Sequence, residues 1–519
     1  MDSSKKFILA IDQGTTGTKC AIFDHACNLI SLEYARHRQI YPRPGWVEHD
    51  PLEIWDNVKH VIKAAVRKAK INPGQISALG VTNQRETVVV WDKRSLKPIH
   101  NAIVWQDVRT LARTTSLSND EDATRLITSK TGLPVHTYFS ASKIEWILDN
   151  VPRARRRIDE LAFGNVDSWI ICNLTRNASH RKARSHLTDY TNASRTLLMD
   201  IQKLEWSTEL LNFFNIPETI MPEIRPSSDR EVYGYTDPRL LGSRVPVCGD
   251  LGDQQASLFG QTCFETGEAK CTYGTGSFLL ENVGAKFRPS KLGLISTVAF
   301  GLEKGKCNYA VEGPIAVTGG IITWLEENLR LISSTEEIEK VAKSVGRHGS
   351  AGVYFVPAFS GLFSPFWDVH ARGAIFGLTH YTRKEHIVLA ALESICFQTR
   401  AVVEAMRKET GLPLNELKVD GGVTKNNYLM QLQSNILGIP LVRASVTETT
   451  SVGAAFAAGL AIDFWSGKDE LRAIAKKGRV IKPSWSASKR DRGYYGWITA
   501  VNRTKGWLTE VGGASHPSP

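Results

Sequence analysis

Apolar residues fill positions 7–11, Phe7-Ile8-Leu9-Ala10-Ile11, and give way at Asp12 to a Gly/Thr-rich stretch, Gly14-Thr15-Thr16. β-rich runs resume beyond it. The pattern predicts a buried strand, a tight turn and two more strands over residues 7–35. Between Pro51 and Lys70 the period changes. Apolar residues recur at 52, 55, 58, 61, 62 and 65, Asp50 stands where an N-cap belongs, and Pro51 suits a first helical turn. Strands are expected at 77–82 and 87–91, and a helix over 140–148. The second half predicts a long helix over 383–407, then a strand at 417–420 that ends in Gly421-Gly422. A helix over 426–437, a strand at 440–443 and a small-residue helix over 451–462 follow.

Two segments share one order. FILAIDQGTTGTKCAIFDHACNLISLEYA (7–35) reads strand, turn, strand, strand. AKCTYGTGSFLLENVG from Ala269, with ISTVAF from Ile295 and NYAVEG from Asn308, reads the same way. Both turns pair glycine with threonine. Two such units suggest a duplicated α/β fold with a site between the copies. The boundary is expected near 255–270, giving lobes 1–262 and 263–519.

A chain of 519 residues accommodates two to four domains, and 42% hydrophobic with 23% charged positions are globular proportions. The apolar stretch 451–462 is shorter than the ~18 residues of a membrane-spanning helix, and the run 7–11 is too short for a signal peptide. Eight scattered cysteines without a CxxC pair read as reduced thiols of a cytoplasmic protein, not a disulfide framework or zinc site. A net charge of +11 raises the question of nucleic acid. From Leu471 onward, however, ten basic residues face only Asp491 and Glu510, so +8 of the excess lies in the last tenth of the chain. That reads as a solvated face. Neither nucleic acid nor membrane insertion is expected.

Three Gly-rich turns carry candidate chemistry. In Asp12-Gln13-Gly14-Thr15-Thr16, glycine allows close backbone approach, N–H groups and threonine hydroxyls can hold an anion, and the carboxylate can hold hydrated Mg²⁺. Tyr273-Gly274-Thr275-Gly276 repeats the device. Val419-Asp420-Gly421-Gly422 precedes Asn426 and Asn427. Their shared placement points to a nucleotide, whereas Walker A, complete GxGxxG and HRD/DFG signatures are missing. Two polar segments could bind a substrate. Asn83-Gln84-Arg85-Glu86-Thr87 faces either a cavity or solvent as a hairpin tip. Gly249-Asp250-Leu251-Gly252-Asp253-Gln254-Gln255 is either a site or a solvated loop. An Arg–Glu pair can grip adjacent hydroxyls, and an aspartate can take a hydroxyl proton.

Read together, AIDQGTTGTK, PGWVEHDP, VTNQRETVVVWD, NAIVWQD, LTDYTNASRT, GDLGDQQASLFGQ, YGTGSFLL, FWDVHARGAIFGLT, ALESICFQTR, VDGGVTKNN and TETTSVGAAFAAGLA resemble the FGGY carbohydrate kinases of the actin/Hsp70/hexokinase-like superfamily, and within them the glycerol kinases. The resemblance runs from about Phe7 to Trp465. It implies two ribonuclease-H-like lobes with an interlobe cleft, ATP and Mg²⁺ as cofactors, glycerol as substrate, and a homo-oligomer, dimer or tetramer.

It also implies roles. Arg85, Glu86, Tyr138, Gln254, Phe278 and Trp105 would bind glycerol, with Asp253 as catalytic base. Asp12 and Asp253 would lie at the metal. Thr15, Thr16, Gly17, Lys19 and Thr275 would contact phosphates, and Gly319, Thr323, Gly422 and Asn426 would surround the nucleotide. Lys19 replaces the family's usual arginine, keeping the charge but losing the planar fork, and Thr323 stands where glutamine is frequent. Thr236–Arg244 corresponds to a glycine-rich loop that binds fructose 1,6-bisphosphate in some bacterial relatives. Here it holds one glycine, plus Pro238 and Asp237, so no bisphosphate pocket is expected, and Tyr235 replaces a phosphorylatable histidine. Two other readings stay open: a kinase for another polyol or ketose, and a nucleotide-binding sensor without catalysis.

Overall fold

The first apolar run becomes strand β1 (Phe7–Gln13), buried along almost its whole length as a central strand must be. The computed structural model describes residues 6–175, 185–346, 349–475 and 478–510. β1 pairs antiparallel with β2 (Gly17–Asp24), which pairs antiparallel with β3 (Leu29–Arg36). On its other side β1 lies parallel to β4 (Ile76–Asn83). Beyond β4 come β5 (Gly234–Tyr235) at the edge and β6 (Pro246–Gly252) inside it, parallel to β4.

The second sheet is built from β7 (Ala269–Tyr273), β8 (Ser277–Gly284), β9 (Ile295–Glu303), β10 (Lys306–Ile315), β11 (Leu417–Asp420), β12 (Leu441–Arg443) and β13 (Arg479–Ile481), in the order β9-β10-β8-β7-β11-β12-β13. Its middle, β10-β8-β7-β11-β12, has the pairing senses of β3-β2-β1-β4-β6. The molecule is therefore two α/β lobes of repeated topology, as the turn pattern predicted. One detail differs. The strand from Ile295 does not follow β8 directly; its partner β10 inserts between them, because the β9–β10 hairpin folds back into the sheet.

Helix α1 (Pro51–Ala69) starts where the sequence predicted, with the Asp50 side chain accepting from the Leu52 amide. Its buried stripe is Ile54, Val58, Val61, Ile62 and Ala65. Leu52, expected on that stripe, is 47% exposed; Ile54 takes its place one turn before Val58. Helices α2 (Ala141–Asn150), α3 (Asp253–Gly260), α4 (Gly319–Glu327), α5 (Lys384–Thr410), α6 (Asn427–Leu437) and α7 (Thr449–Ala461) matter to the site. α5 is long and apolar enough to cross a membrane by length and composition, which the sequence reading did not single out. It is a core helix, with 89% of its most apolar stretch inside the protein. α7, late in the sequence, packs on α3 and against β1, β4 and β6 of the first sheet. In the basic C-terminal stretch Arg472 binds Glu268 at 3.0 and 2.8 Å. Lys476 and Lys477 lie outside the described residues.

Candidate active site

β4 delivers its polar end into the protein interior. Asn83, Gln84, Arg85, Glu86 and Thr87 are all buried. The next strand, Val89–Asp92, pairs with Leu161–Gly164 in a separate sheet, so the segment is not a hairpin tip. Glu86 holds a left-handed φ of 61°, uncommon for a side chain of its size and a conformation that gathers at functional sites. Arg85 is held from several directions. Nη1 donates to Glu312 Oε2 at 2.5 Å and to Gln255 Oε1 at 3.2 Å, Nη2 donates to Glu312 Oε1 at 3.1 Å, and Nε faces Asp253 Oδ1 at 3.3 Å. Arg195 joins Glu86 through Nε at 2.6 Å and Glu312 through Nη2 at 3.2 Å. Burial raises the Glu86 pKa against the pull of Arg195 and Arg85. Burial also acts on Glu312, but Arg195 and Arg85 together hold it down to about 2.

An aromatic wall faces this cluster. The Trp105 ring lies 5.6 Å from Tyr138 and 6.5 Å from Phe278, and the Arg85 guanidinium stands 5.7 Å from the Phe278 ring. Phe278 comes from β8 and Glu312 from β10, so the second sheet closes a site begun by the first. Tyr138 is fixed from behind: Lys143 of α2, fully buried, donates to the Tyr138 and Phe139 carbonyls at 2.6 and 3.1 Å. Burial lowers the Lys143 pKa to about 7.

The second polar segment is no solvated loop. β6 runs to Gly252, and Asp253 is the first residue of α3. The turn is fixed by a relay in which the Gly252 amide donates to Thr191 Oγ1 at 2.8 Å and that hydroxyl donates to Asp189 Oδ1 at 2.8 Å. The two carboxylates of the segment part company. Asp250 is fully buried, its pKa raised well above the usual range by burial and by Asp167 and Asp189. Asp253 keeps 29% of its side chain open to the cleft. Burial raises its pKa, and Arg85 and Lys270 oppose the shift. Gln254 turns inward, its Oε1 accepting from Lys270 Nζ at 2.6 Å.

The first Gly/Thr turn lies alongside. The Trp105 indole donates to Thr15 Oγ1 at 3.0 Å, and Gln84 ties the turn to the substrate segment through Gln13 Oε1 at 3.0 Å. Asp12, Gly14, Thr16, Gly17, Lys19 and Tyr34 line a cavity of about 240 Å³. A Cβ on Gly17 would stand 2.5 Å from the Tyr34 ring and the Ala35 carbonyl, so glycine is required there for packing. Asp12 is pushed up to about 6, first by burial, with Lys19 opposing and Glu448 and Asp253 adding repulsion. Lys19 reaches Glu448 at 2.6 Å. Asp12 and Glu448 flank the Lys19 ammonium. Among the described residues no three metal-ligating side chains come together, so a divalent cation held by the Asp12 carboxylate would take its other oxygens from water and phosphate, as Mg²⁺ does.

Thr275, Gly319, Gly422 and Asn426 form a separate group on the second sheet. The amides of Thr318, Gly319 and Gly320 donate to the carbonyls of Thr275, Gly274 and Thr275 at 2.8, 3.0 and 3.1 Å, joining the β7–β8 turn to the start of α4. A Cβ on Gly319 would stand 2.6 Å from the Gly274 carbonyl. These amides are thus occupied, while the Thr275 side chain and Gly422 face solvent. Thr323 is exposed on α4, one turn beyond Gly319. Asn426 caps α6 by accepting from the Leu429 amide at 2.9 Å. Another cavity, about 400 Å³ between Gln261, Lys418, Val446 and Phe456, holds none of these residues.

Two sequence profiles cover the chain in succession. The N-terminal domain of the FGGY family of carbohydrate kinases matches residues 7–260, and the C-terminal domain of the same family matches 269–462. The chain belongs to the FGGY family of carbohydrate kinases. It is 50% identical to a glycerol kinase of Caldanaerobacter subterraneus subsp. tengcongensis over 97% of this chain and 100% of that one. Among solved structures it is similar to Plasmodium falciparum glycerol kinase with ADP, at a TM-score of 0.88 and 38% identity, covering 96% of this chain and 98% of that one. A gluconate kinase from Lactobacillus acidophilus has the same fold at a TM-score of 0.87 and 23% identity, over 98% of this chain and 100% of that one. The actin-like, two-lobed architecture of FGGY kinases is the one described above.

Four charged residues at this FGGY site carry no role from the sequence alone: Arg195, Glu312, Lys270 and Glu448. Arg195 and Glu312 sit inside the quoted runs LTDYTNASRT and NYAVEG. A buried carboxylate following Tyr309-Ala310-Val311 was the available signal for Glu312, and a buried ammonium between Ala269 and Cys271 for Lys270.

Proposed function

We propose that this FGGY kinase transfers the γ-phosphoryl group of ATP to a terminal hydroxyl of glycerol, giving sn-glycerol 3-phosphate and ADP. The observation that carries the reading is the meeting of a buried Arg85 with a cleft-facing Asp253, 3.3 Å apart, against the Trp105–Tyr138–Phe278 wall. Arg85, Glu86 and Asp253 offer donors and acceptors to vicinal hydroxyls, and the rings cover a short carbon chain. The glycerol kinases at 50% and 38% identity support the same substrate.

In this reading Asp253 takes the proton of the attacking hydroxyl on its carboxylate, and Arg85 and Glu86 fix which hydroxyl attacks. Gln254 and the aromatic wall complete the glycerol pocket. Thr15, Thr16, Gly17 and Lys19 receive the transferring phosphate in the cavity beside Asp12, and Thr275, Gly319, Thr323, Gly422 and Asn426 hold the nucleotide. Asp12, with Asp253 near it, would hold Mg²⁺, which when bound offsets phosphate charge. Closure of the two lobes, taken as 1–262 and 263–519, would exclude water and limit ATP hydrolysis. The buried thiols suit a cytoplasmic enzyme.

A coupled ADP-release assay with glycerol, dihydroxyacetone, xylulose and gluconate tests this reading. Glycerol is expected to give the highest kcat/KM. Preference for xylulose or gluconate would make the protein another FGGY sugar kinase, and nucleotide binding without turnover of any of the four would make it a sensor.

A further inference from the structure

We propose that Glu312 sets the charge class of the substrate: by occupying the fork of Arg85 and one arm of Arg195, it makes the pocket accept an uncharged polyol and reject a carboxylate. The proposal rests on the glycerol-pocket reading above and adds the residue that enforces it.

An arginine fork is shaped for a carboxylate. Here both terminal nitrogens of Arg85 are spent on Glu312, at 2.5 and 3.1 Å, and the same carboxylate accepts from Arg195 at 3.2 Å. Arg195 spends its Nε on Glu86 at 2.6 Å. All four groups are almost wholly buried, and two cations face two anions, so their formal charges cancel. Beyond Glu312, Arg85 Nη2 reaches only the Tyr138 hydroxyl of the pocket wall, at 3.4 Å, and Nε faces Asp253 at 3.3 Å. A bound carboxylate would therefore meet Asp253 and Glu86 with the Arg85 fork already filled and, on Arg195, only the buried Nη1 without an acceptor. Hydroxyls meet no such repulsion, since they donate to carboxylates and accept from N–H groups. This is selection by repulsion as much as by attraction.

The balance is one charge deep. Arg195 Nη1 is buried with no hydrogen-bond acceptor. Neutralising Glu312 would leave this donor and the Arg85 fork short of an anion in a low-dielectric pocket, where an incoming carboxylate is strongly attracted. Same-fold kinases act on both neutral and acidic sugars, the gluconate kinase being one by its name, so the class must be set by side chains and not by the fold.

The test is calorimetric binding of glycerol, glycerate and the uncharged glyceramide to the full chain and to Glu312→Gln. The wild type is expected to bind glyceramide at least about tenfold more tightly than glycerate, and Glu312→Gln to narrow that ratio by about tenfold or more. Equal wild-type binding of the two compounds overturns the proposal, as does binding of neither, which would mean exclusion by size. An unchanged ratio in a cooperatively melting Glu312→Gln also overturns it. Should that variant not melt cooperatively, Arg195→Gln decides: with one cation fewer the ratio should widen, and no change or a narrowing contradicts the idea. A wild type that binds these ligands but does not phosphorylate glycerol sinks the functional reading alone, because the binding ratio needs no turnover.

Discussion

Lys19 on β2 and Glu448 at the start of α7 form an ion pair of 2.6 Å although 429 residues separate them. The pair stands beside Asp12, and its two members act on Asp12 in opposite directions: Lys19 lowers the Asp12 pKa and Glu448 raises it. The site thus sets the ionisation of its candidate metal carboxylate from two distant parts of the sequence.

That opposition gives a signed pH effect. In the proposed site Asp12 must ionise to serve a cation, so its carboxyl, pushed up to about 6, should set an acid limb in kcat/KM for ATP. Glu448→Gln removes repulsion and should move the limb down by about 0.5–1 pH unit, while Lys19→Met should move it up. Limbs that stay put in both variants would show that Asp12 does not govern the profile.

Asp12 also carries a stability cost. The fold favours its neutral form, so this contribution is full below the ordinary carboxylate range and is lost as pH rises through about 6. At pH 7.5 without Mg²⁺, the ionised group costs up to about 3 kcal/mol at 1.36 kcal/mol per pKa unit. Asp12→Asn should therefore melt higher than wild type at pH 7.5, by less at pH 4.5, and should gain less from Mg²⁺ with ATP. Thermal melts at both pH values check this; a lower melting temperature for Asp12→Asn at pH 7.5 would contradict it.

Much of this fold can be read locally. Asp50 and Pro51 announce α1, β11 spans the predicted 417–420, and the turn at Gly14–Thr16 joins the strands expected of it. Those features depend on neighbours within a few residues. Glu312 and Arg195 depend instead on sheet register and on lobe meeting lobe: Glu312 reaches Arg85 only because β10 inserts beside β8, an order no local pattern carries. Leu52 shows the reverse limit. Its spacing fits the stripe, but the core begins at Ile54. Asn426 shows a competition that sequence alone does not resolve, since one side chain can cap a helix or meet a ligand.

The segment Thr236–Arg244 supports a prediction about regulation. It folds as a short helix, Pro238–Leu241, capped by Asp237, and Asp237 also binds Arg239 through a paired set of hydrogen bonds. Arg244 lies 5.1 Å from the Tyr235 ring. With Arg239 held by a carboxylate, initial rates at low salt should not respond to fructose 1,6-bisphosphate. Saturable inhibition that disappears in Arg244→Ala would refute this.

In the proposed reaction Asp253, beside Arg85, accepts the proton of glycerol during phosphoryl transfer. Asp253→Asn tests it most directly, because the amide keeps the shape of the side chain and removes the base. Steady-state turnover with glycerol and ATP should fall by roughly 10²–10⁴, while glycerol affinity measured by calorimetry stays within about tenfold. Near-wild-type turnover in Asp253→Asn would show that Asp253 is not the base.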